Sequence, residues 1–496
     1  MAIKIELKLT LDPMHVARFR HHSVLESMTL GKSRRHKLHN IYFDTPDQDL
    51  QRAGIALRLR RMNGEWMQTV NSDGGVAAGL HQRNEWKWPV RGEAPELASI
   101  AVTDLKLLTP KLLARLRPLF FTDYWRTIWQ LRTAQGAEIE LVLDQGEVQA
   151  GNTRQSISEI ELELKTGEMA SLFEVALAIQ EHMPLWVEDR SKAQRGYMLC
   201  SGGTPPSLPR KAKHVTLAPE MPVAEAFQRI ARECLSQLQE NVVELGQDPE
   251  YLHQARVAVR RLHAMLGVFE AVFPEACASV VEELRWLMAC LGPARDWDVF
   301  VTQTLLPITE LLYDNQAMVR LQTDAAQIRD TCRQGALEAA LSQRYTRLVL
   351  TLGLQLARPV ELPGVPVVLD ELVTQTLIRQ HKRVRRKGRL PAALNTAERH
   401  ALRIAVKKLH YTAEFFSGIY PHKRARRYLE ALDALQDVLG ALNDASVTQR
   451  LLADLSIKRG QAAGIVIGWT ACSSGGHLQK LRHAWRNFRR QKVFWK

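Results

Sequence analysis

The order of apolar and polar positions divides the chain into two regions with different periods. Between residues 1 and 200 the apolar positions fall in short runs at 3–11, 38–43, 55–62, 66–70, 84–90, 124–131, 138–143 and 157–164. Several alternate strictly with polar residues, and Gly, Asn and Asp lie between them. Alternation at period two marks a strand with one buried face. Eight such runs, mostly without long helices between them, predict an antiparallel sheet closed or nearly closed on itself. Helical patterns near 14–28 and 168–183 would cover its outside. A Pro/Gly/Ser cluster at 201–209 then interrupts the chain, and beyond it the pattern is helical to residue 496. A second break, RPVELPGVP at 358–366, splits the helical region.

The helical region repeats itself. HQARVAVRRLH at 253–263 matches HALRIAVKKLH at 400–410, and LGPARD at 291–296 matches LGALND at 439–444. The spacing between the paired motifs is nearly the same in both copies, which argues for duplication of a multi-helix unit. The expected organisation is a first domain over 1–202, a linker over 203–214 and a helical domain over 215–496. The helical repeats are read as 215–357 and 367–496.

Charge sharpens this division. Residues 1–200 carry 26 Lys and Arg against 25 Asp and Glu, while the remainder carries 41 against 28. Nearly all of the net +14 therefore belongs to the helical region. Such an excess points to a polyanionic partner. No apolar run reaches the ~18 residues of a membrane span, and the start, MAIKIELKLTLD, lacks the continuous apolar stretch of a secretory signal. The six cysteines show no metal-type spacing, as expected in a reducing compartment. A cytoplasmic location is expected.

Residues two apart on a strand share a face. Lys4, Glu6 and Lys8 therefore point one way, as do Arg58 and Arg60, then Glu138, Glu140 and Asp144, then Glu159, Glu161 and Glu163. In a closed barrel with helices over its apolar outside, these charges line the lumen. Cations there would hold phosphate oxygens, and carboxylates on opposite strands would hold a divalent metal. An open sheet with a solvated, ion-paired face satisfies the same alternation.

On a helical wheel His253, Arg256, Arg260 and His263 share one arc, opposite Ala258, Val259, Leu262, Met265, Leu266 and Phe269. The second copy repeats this with His400, Arg403, Lys407 and His410. Like charge so stacked favours an anion, and histidines beside an anion would be partly protonated, strengthening binding at lower pH.

The first region resembles the CYTH family, the triphosphate tunnel metalloenzymes. The resemblance is carried by KIELK at 4–8, IYFDTP at 41–46, LRLR at 57–60 and GLHQRNE at 79–85. It continues through YWR at 124–126, LDQGEV at 143–148, EIELE at 159–163 and SKAQRGY at 191–197. It implies an eight-stranded tunnel that hydrolyses or rearranges triphosphates with Mg²⁺ or Mn²⁺. Members fused to a helical domain resemble inorganic triphosphatases. By that resemblance Lys8, Arg58, Arg60, Arg126, Lys192 and Arg195 hold phosphates. Glu6, Glu159 and Glu161 lead the metal carboxylates, with Glu85, Glu140 and Asp144 as further candidates. Two positions depart from the family pattern. Lys4 stands where the family has a first Glu, and Asn71 where it usually has a Lys. The alternative is a catalytically weak or inactive polyphosphate-binding scaffold.

The helical region resembles the CHAD family through HxxRxxxRRL at 253–262, LGxxRDxD at 291–298, HxxRxxxKKL at 400–409 and LQxxLGxxxD at 435–444. This implies two similar four-helix bundles whose basic surface binds inorganic polyphosphate. The residues implied are His253, Arg256, Arg260, Arg261, His263, His400, Arg403, Lys407, Lys408 and His410. The second copy departs at Asn443 and Ser446, where the first has Arg295 and Asp298. A metal role for the histidines is disfavoured by the guanidinium on the same face. The whole is expected to be a multidomain α+β chain, with association with polyphosphate granules. Nucleic acid is not expected, since no zinc-finger or helix-turn-helix signature is found and few aromatic residues lie among the basic ones.

Overall fold

The computed structural model describes residues 2–72, 74–100, 105, 108–202, 208–358, 368–389, 391, 393–455 and 460–495. Two compact units form, Met1–Leu208 with Leu341–Pro359, and Pro209–Ala340 with Val360–Lys496. The linker expected at 203–214 and the break expected at 358–366 fall largely outside the described residues.

The first unit is a barrel. Its strands are β1 (Ala2–Thr10), β2 (Arg34–Asp44), β3 (Ile55–Met62), β4 (Glu65–Ser72), β5 (Val76–Ala77), β6 (Leu80–Val90), β7 (Arg117–Arg132), β8 (Glu138–Ala150), β9 (Thr153–Thr166) and β10 (Trp186–Val187). The order β1-β9-β8-β7-β2-β3-β4-β6 closes when β6 pairs back onto β1, so eight antiparallel strands form the wall. The short β5 and β10 add to β6 and β1. Closure decides between the two readings of the alternating charge: the charged faces line a lumen.

The outer face is apolar. Leu7, Leu9, Leu59, Ile139, Leu141, Leu143, Ile160 and Leu162 are fully buried. Helix Ala170–Gln180 covers β1 and β9, near where the sequence predicts a helix. Around β2, β3 and β4 a second apolar cluster gathers Ile41, Phe43, Leu57, Val70, Ile100 and Leu113, with Trp66, Trp86 and Trp88 packed against it. Inside the lumen Leu38, Tyr42, Tyr124, Val148 and Ile157 join Ala193 and Tyr197 of helix Lys192–Cys200 in a further apolar cluster.

One element departs from the expected repeat boundaries. Helix Gln343–Ala357, read from the sequence as the end of the first helical repeat, belongs to the barrel unit. Its Leu348, Val349, Leu352 and Leu356 are buried, and it packs on helix Ala170–Gln180. Gln180 Nε2 donates to Gln343 O at 3.1 Å, the Leu185 amide donates to Gln343 Oε1 at 3.0 Å, and Trp186 Nε1 donates to Leu341 O at 2.7 Å. The hydrophobic pattern identifies the helix but not the partner that buries its stripe.

The second unit is helical. Its first repeat contains Val223–Val242, Pro249–Phe269, Pro274–Val299 and Gln316–Ala340. The third of these continues through a π turn at Phe300–Leu305. The second repeat contains Leu369–Lys387, Thr396–Phe416, His422–Asp454 and His477–Arg490. One further helix, Gln461–Gly475, packs through Ala462, Ala463 and Val466 against Trp297, Phe300, Leu305 and Met318 of the first repeat. The two motif helices start on strong caps. Asp248 accepts from the Glu250 amide ahead of Pro249, and Asn395 forms a capping box with Glu398. These two helices pack against each other, with Phe269 and Phe416 rings 6.2 Å apart. No helix of the described residues is long and apolar enough to cross a membrane.

Gly353 tests the reassigned helix. A Cβ there would come within 2.2 Å of the Phe173 ring on helix Ala170–Gln180 and 2.8 Å of Ala78. Gly353→Val is expected to destabilise the barrel unit by about 1–3 kcal/mol through overpacking, measured by chemical denaturation. An unchanged midpoint would show that helix Gln343–Ala357 does not pack there.

Candidate functional site

Strand register places the charged residues at specific heights in the lumen. Opposed residues on paired strands share a face. Glu6 faces Glu163 and Lys8 faces Glu161 across β1 and β9, Asp144 faces Glu159 across β8 and β9, and Arg126 faces Asp144 across β7 and β8. On the other side Tyr42 faces Arg58, Asn40 faces Arg60, Asn71 faces Glu85 and Arg83 faces Lys4. The ten predicted tunnel residues that lie on strands thus point inward, and Lys192 and Arg195 reach them from helix Lys192–Cys200.

They form a connected ion-pair network. Lys192 Nζ lies 2.6 Å from Glu159, 2.8 Å from Asp144 and 2.9 Å from Glu161. Arg126 grips Asp144 with two hydrogen bonds and reaches Glu161 at 2.9 Å. Arg195 pairs with Glu159. Lys8 sits 3.2 Å from both Glu6 and Glu161, and Arg58 lies 3.6 Å from Glu85. Arg60 differs: it donates to Asn40 Oδ1 at 2.8 Å and Tyr124 Oη at 3.1 Å. Glu140 stands apart from the Lys192 cluster, bound by Gln130 at 2.9 Å and Lys165 at 3.5 Å.

Helix Lys192–Cys200 brings two of these cations to the lumen. Ser191 caps it, with Gln194 completing the box. Gly196 lies against the Phe120 ring, where a Cβ would approach to 2.1 Å. This close approach sets the depth of Lys192 and Arg195. Tyr197 Oη donates to Asp44 at 2.9 Å and fixes the helix from the other side.

Burial opposes every charge here, and partners reverse the penalty. Despite burial, Lys4 and Lys8 hold Glu6 well below the usual carboxylate range. Lys192, Lys8 and Arg126 do the same for Glu161, and Arg126 and Lys192 lower Asp144. Lys192 and Arg126 are raised well above their ordinary values by the same carboxylates. His81 is held down to about 3 by burial and by Lys8 and Arg83, so it stays neutral. Arg60 is lowered by burial and by Arg58; it is a part-buried cation whose hydrogen bonds go to Asn40 and Tyr124 rather than to a carboxylate. Lys4, Lys8, Arg58, Arg60, Arg83, Arg126, Lys192 and Arg195 oppose Glu6, Glu85, Asp144, Glu159 and Glu161, eight cations to five carboxylates. The half-exposed Lys87, Lys165, Glu140 and Glu163 cancel one another.

Arg83 was not among the predicted residues. It binds Glu6 at 2.6 Å. Its position two residues before Glu85 already puts it on the inward face. Tyr124, Asn40 and Tyr42 also escaped, because neutral residues on an inward face carry no sequence signal of function.

In the helical unit the two basic arcs meet. Arg256 and Arg260 on one motif helix confront Arg403 and Lys407 on the other. Lys407 is pushed down to about 6 by burial and by Arg260, Arg403 and Arg256. Arg256 is lowered to about 10 by burial and Arg260. Acids support this cluster from one side: Asp296 lies 3.6 Å from Arg256 and accepts from Arg450 at 2.7 Å. Nε of Arg256 and of Arg403 is buried without a partner. His400 Nδ1 lies 3.1 Å from Asn443 Oδ1, so the departure at Asn443 supplies a new support for the motif histidine.

Five predicted residues behave otherwise. Arg261 is 1% exposed and forms no part of a basic surface. It donates to Gln237 Oε1 at 3.0 Å, lies 3.4 Å from Glu414 and stacks 5.0 Å over the Phe415 ring. One residue turns a helix by about 100°, which takes Arg261 away from Arg260 into the core. His410 Nε2 pairs with the chain's own Asp433 at 2.6 Å. His263 and Lys408 form a separate pair of neighbours, with His263 lowered by burial and then by Lys408. His253 is lowered to about 4 by burial and Arg295. His253 and His263 are therefore harder to protonate than a free imidazole.

Residues 2–197 match the CYTH domain model and residues 229–453 the CHAD domain model. A Haemophilus influenzae protein named inorganic triphosphatase is 34% identical over 209 residues, 40% of this chain and 56% of that protein. The chain thus spans little more than half the length of that curated relative. The solved CHAD domain of the plant Ricinus communis is 32% identical, covers 58% of this chain and 98% of its own, and superposes with a TM-score of 0.50. PptA from Streptomyces chartreusis is 17% identical over 55% of this chain and 99% of its own, with a TM-score of 0.41.

The contrast between Arg260 and Arg261 is measurable. Arg261→Ala strands Glu414 and opens the core, and is expected to lower stability by about 3 kcal/mol or more. Arg260→Ala is expected to change it by less than about 1 kcal/mol. Thermal or denaturant unfolding of both variants checks this, and equal effects would place Arg261 on the surface.

Proposed function

The chain belongs to the proteins that join a CYTH domain to a CHAD domain, and from that premise we propose a metal-dependent inorganic triphosphatase whose helical face binds inorganic polyphosphate. The observation that carries the tunnel reading is the excess of inward-facing cations over carboxylates around one closed lumen. A linear triphosphate presents many anionic oxygens along a short chain, and Arg58, Arg60, Arg126, Lys8, Lys192 and Arg195 offer charge-assisted donors from several directions. The relative's name supports hydrolysis as the reaction.

The donor chemistry fits a hard divalent cation. Asp144, Glu159 and Glu161 all reach one ammonium, that of Lys192, within 2.9 Å, and carboxylate oxygens are the usual ligands of Mg²⁺ and Mn²⁺. Among the described residues no three acids surround an open point, because Lys192 fills the one they share. These three carboxylates would hold the metal once Lys192 turns to a phosphate oxygen. The ion, when bound, supplies charge neutralisation and a more acidic water. The chain's own residues do the rest. The arginines orient the phosphates, and the apolar cluster of Tyr42, Tyr124, Val148 and Ile157 beside helix Lys192–Cys200 limits water. Asn71, whose Oδ1 is buried without a partner, favours the second reading, a tunnel that binds triphosphate with slow turnover.

The polyphosphate reading rests on Arg256, Arg260, Arg403 and Lys407 meeting with little local relief. A long polyanion relieves that repulsion and releases counterions, so affinity falls steeply with salt.

Phosphate release from tripolyphosphate with and without Mg²⁺ tests the enzyme. Glu161→Gln is expected to lower kcat by about 100-fold or more, the scale of losing a charge-stabilising group in a buried site. Unchanged turnover would remove Glu161 from the site.

Lys407 makes the helical face pH-dependent. With its ammonium held to about 6 in the free protein, a polyanion raises it again. Between the two values the complex carries a proton that the free protein lacks. Polyphosphate affinity should rise as pH falls from 8 towards 6 and then level off. Calorimetry at pH 7 in buffers of differing ionisation enthalpy should find proton uptake approaching about one per chain. Lys407→Arg, permanently charged, should abolish it. Uptake that persists in this variant would exclude Lys407 as the source.

A further inference from the structure

Two cations in the tunnel, Lys4 and Arg83, have no place in the reading above, and only Lys4 sits between two carboxylates. Lys4 Nζ lies 2.5 Å from Glu6 Oε2 and 3.3 Å from Glu163 Oε2. Glu6 and Glu163 are register partners on β1 and β9, so two carboxylates on adjacent strands close on one point. Two carboxylates converging in this way are the donor set of a hard divalent ion. Here an ammonium of the chain itself holds the point. Arg83, opposite Lys4 across β6 and β1, binds Glu6 at 2.6 Å, and Lys8 binds it at 3.2 Å. Glu6 is thus claimed by three cations.

We propose that Lys4 is a resident cation that takes the place of one divalent metal ion between Glu6 and Glu163, so the tunnel holds triphosphate with one exchangeable metal ion fewer than a carboxylate at this position would require. The inference rests on reading the tunnel as a triphosphate site.

The charge balance fits. A carboxylate at position 4 would leave seven cations against six carboxylates. Lys4 makes it eight against five, a difference of two positive charges, which is the charge of one divalent ion. The substitution also alters behaviour. A bound metal exchanges with solvent and is lost to a chelator, whereas an ammonium on a strand stays. Lys4 is tied to its strand between Glu6 and Glu163. Its side chain is 15% exposed, open enough for a phosphate oxygen to reach. A purely structural ion pair would explain the Lys4–Glu6 contact, but it predicts loss of stability and no change in ion count when Lys4 is altered.

The test uses the full chain as wild type, Lys4→Glu and Lys4→Met, with folding checked by thermal unfolding. Tripolyphosphate binding is measured by calorimetry in EDTA, where no metal-dependent turnover occurs. Bound Mn²⁺ is counted by the electron paramagnetic resonance of the free ion. The wild type is expected to bind tripolyphosphate in EDTA. Lys4→Glu should bind at least about tenfold more weakly there, the scale of losing a charged contact, and should hold one more Mn²⁺ per chain than the wild type. Lys4→Met should also weaken binding in EDTA, and with only Glu6 and Glu163 left at the point it should hold the added Mn²⁺ more weakly than Lys4→Glu does. Equal Mn²⁺ counts in wild type and Lys4→Glu, or unchanged affinity in EDTA for both variants, would overturn the proposal while leaving the tunnel reading intact. Wild type that binds tripolyphosphate neither in EDTA nor with Mn²⁺ would overturn the tunnel reading itself, and the proposal with it.

Discussion

A charge can be buried in a protein only if something nearby repays its lost hydration. Lys192 shows this constraint in its strongest form. Its ammonium is buried and held by Asp144, Glu159 and Glu161 from two strands. Those carboxylates are in turn gripped by Arg126, Lys8 and Arg195. The barrel must close for these partners to meet, because β1, β7, β8, β9 and helix Lys192–Cys200 each supply one part. Removal of any single member costs its buried neighbours a partner. On the proposed reading the network is both the interior of the fold and the machinery of the site, and a substrate anion would enter it by exchanging partners with carboxylates already in place.

The helical unit solves the opposite problem. Arg256, Arg260, Arg403 and Lys407 come together with less acidic compensation, and the cluster shows the strain electrostatically: Lys407 is driven down to about 6 and Arg256 to about 10. The apolar stripes of the two motif helices, joined through Phe269 and Phe416, hold like charges together that would otherwise separate. Hydrophobic packing thus stabilises a basic surface against its own repulsion. An anion releases part of that opposition, which is why duplication of one motif can create a site that neither copy holds alone.

Much of this was legible in the sequence because strand periodicity is strict. Alternation put Lys4, Glu6 and Lys8, and Glu159, Glu161 and Glu163, on the faces they occupy. It did not show that the faces enclose a lumen, since closure depends on β1 pairing with β6 as well as β9, contacts some 80 and 155 residues apart along the chain. Helix Gln343–Ala357 was recognisable as a helix, but an amphipathic stripe does not name its partner. Arg261 was carried into the binding set by its place in a motif, although the wheel separates it from Arg260. His410 had no local sign of Asp433, which lies on the next helix. The missed Arg83 shares a face with Glu85, so the information was present and unused.

The two sites also differ in what they can discriminate. In the tunnel every cation but Arg60 already has a carboxylate partner, so on the proposed reading an incoming anion would gain mainly the difference between its own oxygens and the carboxylates it displaces. That difference is largest for a ligand that fits several vacated positions at once, and small for one that reaches a single cation. Selectivity by length follows from compensation. On the helical face the cations begin with few acceptors, and each added phosphate gains nearly the full interaction together with released counterions. Such a surface rewards length without measuring it. A chain that carries both arrangements has the physical means to hold a long phosphate polymer loosely in one unit and to recognise a short one by fit in the other.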